Sequence, residues 1–209
     1  KNLFFLIEIM PAYHSKFNKS DIESQSEIAC QTALLPFRTK CSGQAPKTDS
    51  DNDILDEVLK YFKPNMLFRK FDIEGESDRT LLYLIFVVHS YLVRIVRKRT
   101  KGYSDVKKML QQYAIDQFDS PGDPKFVLAG FISPPTRGED ESLADFNAAK
   151  AKFQSDRTKW MAYMKVAREE LSIRVSDAIY ENVENDGAPN KFWMQFSKRK
   201  FLGKQIHQV

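Results

Sequence analysis

The sequence predicts an all-α protein: a single domain of about five to six helices around a buried central helix, with an extended N-terminal arm and a long Pro/Gly-rich loop. Three observations carry this. Residues 77–102 contain the longest apolar run, opened by cap-forming Ser77 or Asp78 and closed by basic side chains and Gly102, the marks of a helix rather than a strand. Residues 139–184 contain neither Gly nor Pro, so a very long helix or two abutting ones fit there. The helix breakers gather instead in 116–138, where four prolines and three glycines fall within one stretch.

At 209 residues, 42% hydrophobic and 29% charged, the chain is long enough for one domain with its own core. Eight glycines and nine prolines exclude collagen-like and low-complexity classes. The net charge of +4, from 32 basic against 28 acidic residues, makes any electrostatic footprint local. Cys30 and Cys41 are too few for a disulfide framework and lack CxxC spacing, which favours a reducing compartment and the cytoplasm.

The opening KNLFFLIEIM puts an apolar run behind a lysine, but Glu8 interrupts it and no small-residue cleavage site follows. Met10 is read as the start, and 1–9 as an upstream or non-native segment outside the fold. Residues 10–50 are mixed and polar with ALLPF as the apolar anchor, and form the extended arm. The helical domain is 51–203, with 204–209 as a tail.

Within that domain the acids of DSDNDILDEVLKYFKPN suit a helix N-terminus, Ile54, Leu55, Val58, Leu59 and Phe62 share a face, and Pro64 helps end the helix. A calcium loop beginning at Asp49 fails, because its sixth and twelfth positions are Ile54 and Lys60 instead of Gly and Glu. The central helix follows; its uninterrupted apolar part, broken by His89 and Ser90, is read as too short for a bilayer. YSDVKKMLQQYAI makes an amphipathic helix capped by Ser104, with Val106, Met109, Leu110 and Tyr113 inward. The Pro/Gly-rich loop has room for a short strand at 126–132. In the long helical stretch Leu143, Phe146, Phe153, Trp160, Met164, Ala167 and Leu171 form a sparse seam, interrupted by Lys150 and Arg157, with a break expected near Ser155.

No nucleotide-binding glycine loop, HExxH or GxSxG occurs. His14, His89 and His207 are too scattered to build a metal site with each other or a cysteine, and His89 reads as a core histidine with a hydrogen-bond partner. Neither enzyme, cofactor nor metal is expected, and a hydrolase would need a site that no motif supplies.

The segment KFWMQFSKRKFLGK, 191–204, sets three Phe and a Trp among basic side chains with no acid after Asp186. On an ideal helix Phe192, Trp193 and Phe196 share one face, Lys191 and Lys198 lie opposite, and Arg199 and Lys200 flank the aromatics. Three readings compete: a stacking platform for single-stranded nucleic acid, a membrane foot, and a packed helix with a basic rim. The charges form no single stripe, so the third leads, with Lys198, Arg199 and Lys200 as partner-binding residues and neither nucleic acid nor membrane as partner. Arg94 to Lys101 could extend that rim or satisfy a helix C-terminus.

MPAYHS, ALLPFR, DNDILDEVLKYFKPNMLFRKFDI, DRTLLYLIFV, SPGDP and KFWMQFSKRKF, in this order, resemble subunit 3 of the actin-related protein 2/3 complex, over Met10 to about Leu202. The resemblance implies an all-helical, non-catalytic subunit of the seven-subunit assembly that nucleates branched actin filaments. It also implies docking on the actin-related protein 3 subunit, with the other subunits and the actin filament as further partners. The departures are Phe192 where the family usually has Trp, PGDP for PGEP, the following KFVLAGF, and greater length at 136–159, read as an insertion. The alternative from a different class is a free-standing helical domain that binds nucleic acid through its basic, aromatic C-terminal segment.

Overall fold

The computed structural model describes residues 12–183 and 187–204. Residues 1–9, Met10, the tail from 205 and His207 lie outside the described residues. Helix dominates. The elements in chain order are α1 (Asp21–Gln25), the paired strands β1 (Ile28–Ala29) and β2 (Thr32–Ala33), α2 (Ile54–Asn65), α3 (Glu76–Lys98), α4 (Tyr103–Ile115), α5 (Leu143–Tyr180) and α6 (Lys191–Met194), which runs into a 3-10 turn at Gln195–Lys198.

α3 is the centre. Every residue from Thr80 to Leu92 is buried, as is Ile95, so the helix is apolar on all sides because it is enclosed on all sides. By length and composition it could cross a bilayer, contrary to the expectation that it is too short; 78% of its most apolar window is instead buried inside the protein. It ends at Arg99, whose φ of 52° is left-handed, one turn before the glycine expected to stop it. Gly102, with φ 82°, instead starts α4.

Two helix ends are capped by side chains from elsewhere in the chain. The residue before α3, Gly75, has no side chain to offer. The Ser77 backbone N–H donates to Glu23 Oε1 at 2.8 Å and that of Asp78 to Asn18 Oδ1 at 3.2 Å. Both acceptors belong to the N-terminal segment, and the Glu23 carboxylate also suits the positive end of the helix dipole. At the C-terminus of α4 the buried Arg168 donates to the carbonyls of Ala114 at 3.1 Å and Tyr113 at 3.5 Å, with its guanidinium 4.4 Å from the Phe118 ring.

The N-terminal segment is held by side chains of the helical body. Asn65, fully buried, brackets the Tyr13 backbone, accepting its N–H at 2.9 Å and donating to its carbonyl at 3.0 Å. Asp78 accepts the Ser15 N–H at 2.8 Å, and Glu57 accepts the Lys16 N–H at 2.8 Å and the Ser15 hydroxyl at 2.6 Å. Burial raises the Glu57 carboxyl pKa above its ordinary value. Farther along, β2 and the chain after it enter the core: Thr80 donates to the Ala33 carbonyl at 2.6 Å and Tyr163 to that of Leu35 at 2.8 Å. Residues 10–50 therefore include a short helix and a hairpin beyond the single apolar anchor.

α2 begins in a capping box of Asp53 and Asp56. Arg174 of α5 reaches Asp53 and Asp56 at 2.8 Å and Glu170 at 3.1 Å, while Arg38 bonds the same two aspartates. Burial would raise the Asp53 carboxyl, but the hydrogen bonds from Arg174 and the Arg38 backbone outweigh it, and its pKa falls.

α5 is one continuous helix through Ser155, capped by Ser142. Its seam divides in two. Trp160, Met164, Ala167 and Leu171 are buried, whereas Leu143 is 58% exposed. The junction lies at Phe153, whose ring meets Gly122, with Arg157 on Asp123 at 2.7 Å and Lys159 on Glu27 at 2.5 Å. Residues 126–132 form turns, not a strand, because N–H groups at 126, 129, 131 and 132 bond carbonyls only three or four residues back.

Candidate docking surface

The C-terminal segment is folded against the body from both sides. Asn190 donates its backbone N–H to the Ile179 carbonyl at 2.9 Å, tying the segment to the end of α5. Its side chain caps α6 by accepting the Phe192 N–H at 2.9 Å. Trp193 stacks on Phe62 with centroids 5.7 Å apart, and Phe196 meets the same ring edge-on at 5.7 Å. The Lys63 ammonium sits 4.1 Å from the Trp193 ring, a cation–π contact that completes the packing around the indole. Phe201 then reaches Phe86 of α3 at 4.7 Å.

The ideal-helix projection fails at one residue. Trp193 and Phe196 are buried, at 8% and 7% exposure, but Phe192 is 61% exposed. The cause is local: after Met194 the chain tightens into a 3-10 turn, in which residues three apart eclipse and the neighbour points away. Residues 193 and 196 thus share the inner side. Lys198, Arg199 and Lys200 are exposed on the outer side, with the Arg199 guanidinium 5.7 Å from the Phe196 ring. A stacking platform for successive bases would need the two rings that are instead in the core.

The second basic cluster divides. Arg94 lies 4.6 Å over the Tyr113 ring, whereas Arg97 and Lys98 occupy the last turn of α3, where cations suit the helix dipole. His89 is buried with neither ring nitrogen in hydrogen-bond geometry; burial holds its pKa below 6.5, only partly offset by the carbonyls of Phe196 and Arg199 opposite it. His14 lies elsewhere, against Asp78 at 2.8 Å and Glu74 at 3.5 Å. Burial pushes the Cys30 thiol up to about 12 and also raises that of Cys41, leaving both poor nucleophiles. Among the described residues no group of three His, Cys, Asp or Glu is placed to hold a metal ion.

Residues 10–206 match the family model P21-Arc, described as the ARP2/3 complex ARPC3 (21 kDa) subunit. The chain belongs to the P21-Arc family. Actin-related protein 2/3 complex subunit 3 of Saccharomyces cerevisiae is 32% identical to this P21-Arc chain over 197 residues, covering 94% of the chain and 100% of the yeast protein. The subunit of the same name from Dictyostelium discoideum is 34% identical over 196 residues, covering 93% and 99%. That from Schizosaccharomyces pombe is 33% identical over 199 residues, covering 94% and 100%. These relatives are named as subunits of a complex. The P21-Arc match includes the docked N-terminal segment, the enclosed α3 and the C-terminal aromatic segment alike.

Proposed function

We propose that this chain is a non-catalytic structural subunit of the ARP2/3 complex that docks on the actin-related protein 3 subunit and thereby supports nucleation of branched actin filaments in the cytoplasm. Membership of the P21-Arc family carries the reading. In it, 51–203 is the helical domain, 10–50 is the segment laid on it, and 136–159 is an insertion. Lys198, Arg199 and Lys200 form the partner-binding rim: all three are exposed on a segment whose aromatics are anchored inward. The actin filament is a further partner of the assembled complex.

The test separates the two kinds of residue. The chain co-purifies in stoichiometric amount with the actin-related proteins. Reversal of Lys198, Arg199 and Lys200 to Glu leaves the isolated fold within about 0.5 kcal/mol, but slows incorporation into the complex and makes it more salt-sensitive. Trp193→Ala, by contrast, costs about 3–5 kcal/mol and lowers the melting temperature of the free subunit. Unchanged association rates for the triple reversal would remove these residues from the interface, and absence from the purified complex would remove the reading itself.

A further inference from the structure

We propose that Phe192 is the apolar anchor of the docking surface, inserting into an apolar slot on an acidic face of the protein partner while Lys191, Lys198, Arg199 and Lys200 supply the surrounding charge. This deepens the docking reading and rests on it. Phe192 is the most exposed large apolar side chain among the described residues. A single exposed apolar residue is ordinary on a protein surface; the setting of this one is not. The backbone that presents it is fixed on both sides, by the Asn190 side chain at its N–H and by Gln195 Nε2 donating to its carbonyl at 3.1 Å. The next residue, Trp193, is locked on Phe62.

An aromatic ring held out by a rigid turn loses little conformational freedom when it enters a pocket, and such rings dominate interface energetics when water is excluded around them. The surroundings select the partner. The Lys191 ammonium lies 5.4 Å from the Phe192 ring, Lys198, Arg199 and Lys200 are exposed, and residues 187–204 contain no acid. A complementary face is acidic at its rim and apolar at its centre.

The probe is the purified remainder of the complex, lacking this subunit, titrated with the free chain at low and high salt. Phe192→Ala weakens binding by at least about tenfold, a loss of about 1.4 kcal/mol, at both salt concentrations, and Phe192→Trp restores it. Neither change moves the melting temperature of the free chain. Wild-type affinity in Phe192→Ala overturns the anchor: if the Lys198, Arg199 and Lys200 reversal still weakens binding, docking through the rim stands without it, and if neither variant weakens binding, both readings fall. A lowered melting temperature in Phe192→Ala makes the ring structural and also overturns the proposal. So does salt-dependent binding of an oligothymidylate by the wild type that Phe192→Ala abolishes, since that makes the ring a base-stacking platform.

Discussion

Phe192 and Trp193 are neighbours with opposite environments, and the difference of one residue decides which of them supports the fold. The sequence marks both as large aromatics beside cations; what it hides is the tightening from α to 3-10 after Met194, which changes the angular step and brings Phe196 into line with Trp193, leaving Phe192 off that side. His89 is the complementary case. A histidine inside an apolar run reads as core, and it is buried, but the absence of a hydrogen-bond partner depends on where the C-terminal segment crosses α3. Burial lowers the pKa of His89 below that of an ordinary histidine, so the folded state prefers the neutral ring. Below about pH 6.5 the unfolded chain takes up a proton that the folded chain resists, and stability is lost as pH falls, with a limiting slope of about 1.4 kcal/mol per pH unit. Denaturant titrations at several pH values between 7.5 and 5 will show His89→Leu losing less stability on acidification than the wild type. Equal losses in both would mean that the acid sensitivity arises at other groups.

At the scale of elements, the caps of α3 join sequence-distant pieces. Gly75 is not there for its dihedral angles, which are extended; a Cβ at that position would lie 2.5 Å from Asn18 Oδ1. Asn18→Ala removes the acceptor of the Asp78 N–H and costs about 1 kcal/mol. Gly75→Ala displaces the same acceptor, so the double variant will be less destabilised than the sum of the singles in a denaturation cycle; strict additivity would separate the two effects. The helices themselves were legible because their apolar spacing and breakers are local signals. The expected caps at Ser77 or Asp78 and at Ser104 are not the ones used: at α3 a polar residue near the helix start cannot reveal that Asn18 and Glu23 arrive from elsewhere, and α4 starts earlier, after Gly102, with no side-chain cap. The hairpin was hidden for a related reason. Its two-residue turn is Cys30–Gln31, with φ of 48° and 60°, where the favoured residues are Asn and Gly.

For the molecule as a whole, α5 is the element that spans from core to solvent. Its later part is packed along α4 and beneath α3, while the turns before Phe153 contribute no buried residue. Removing 143–149 shortens the free end and will leave the unfolding free energy within about 0.5 kcal/mol of the wild type. Removing all of 136–159 also deletes Phe153, Arg157 and Lys159, with their contacts to Gly122, Asp123 and Glu27, and will destabilise the chain in the same denaturation assay. Equal effects from the two deletions would show that the Phe153 junction carries no stability. The stretch free of Gly and Pro announced a long helix; the division of its seam was not legible, because Leu143 and Phe153 are equally apolar and differ only in what stands opposite them.

The 38 residues of α5 at about 1.5 Å each give a rod about 57 Å long, against a radius of gyration of about 17 Å for a compact chain of this size. Clamped over its second half, such a rod is a lever. A rotation of the body by about 5° sweeps the far end, an arm of about 28 Å beyond the clamp, through about 2.5 Å, so a spectroscopic label beside Leu143 would act as a pointer, turning small reorientations of this subunit within a larger assembly into measurable displacements.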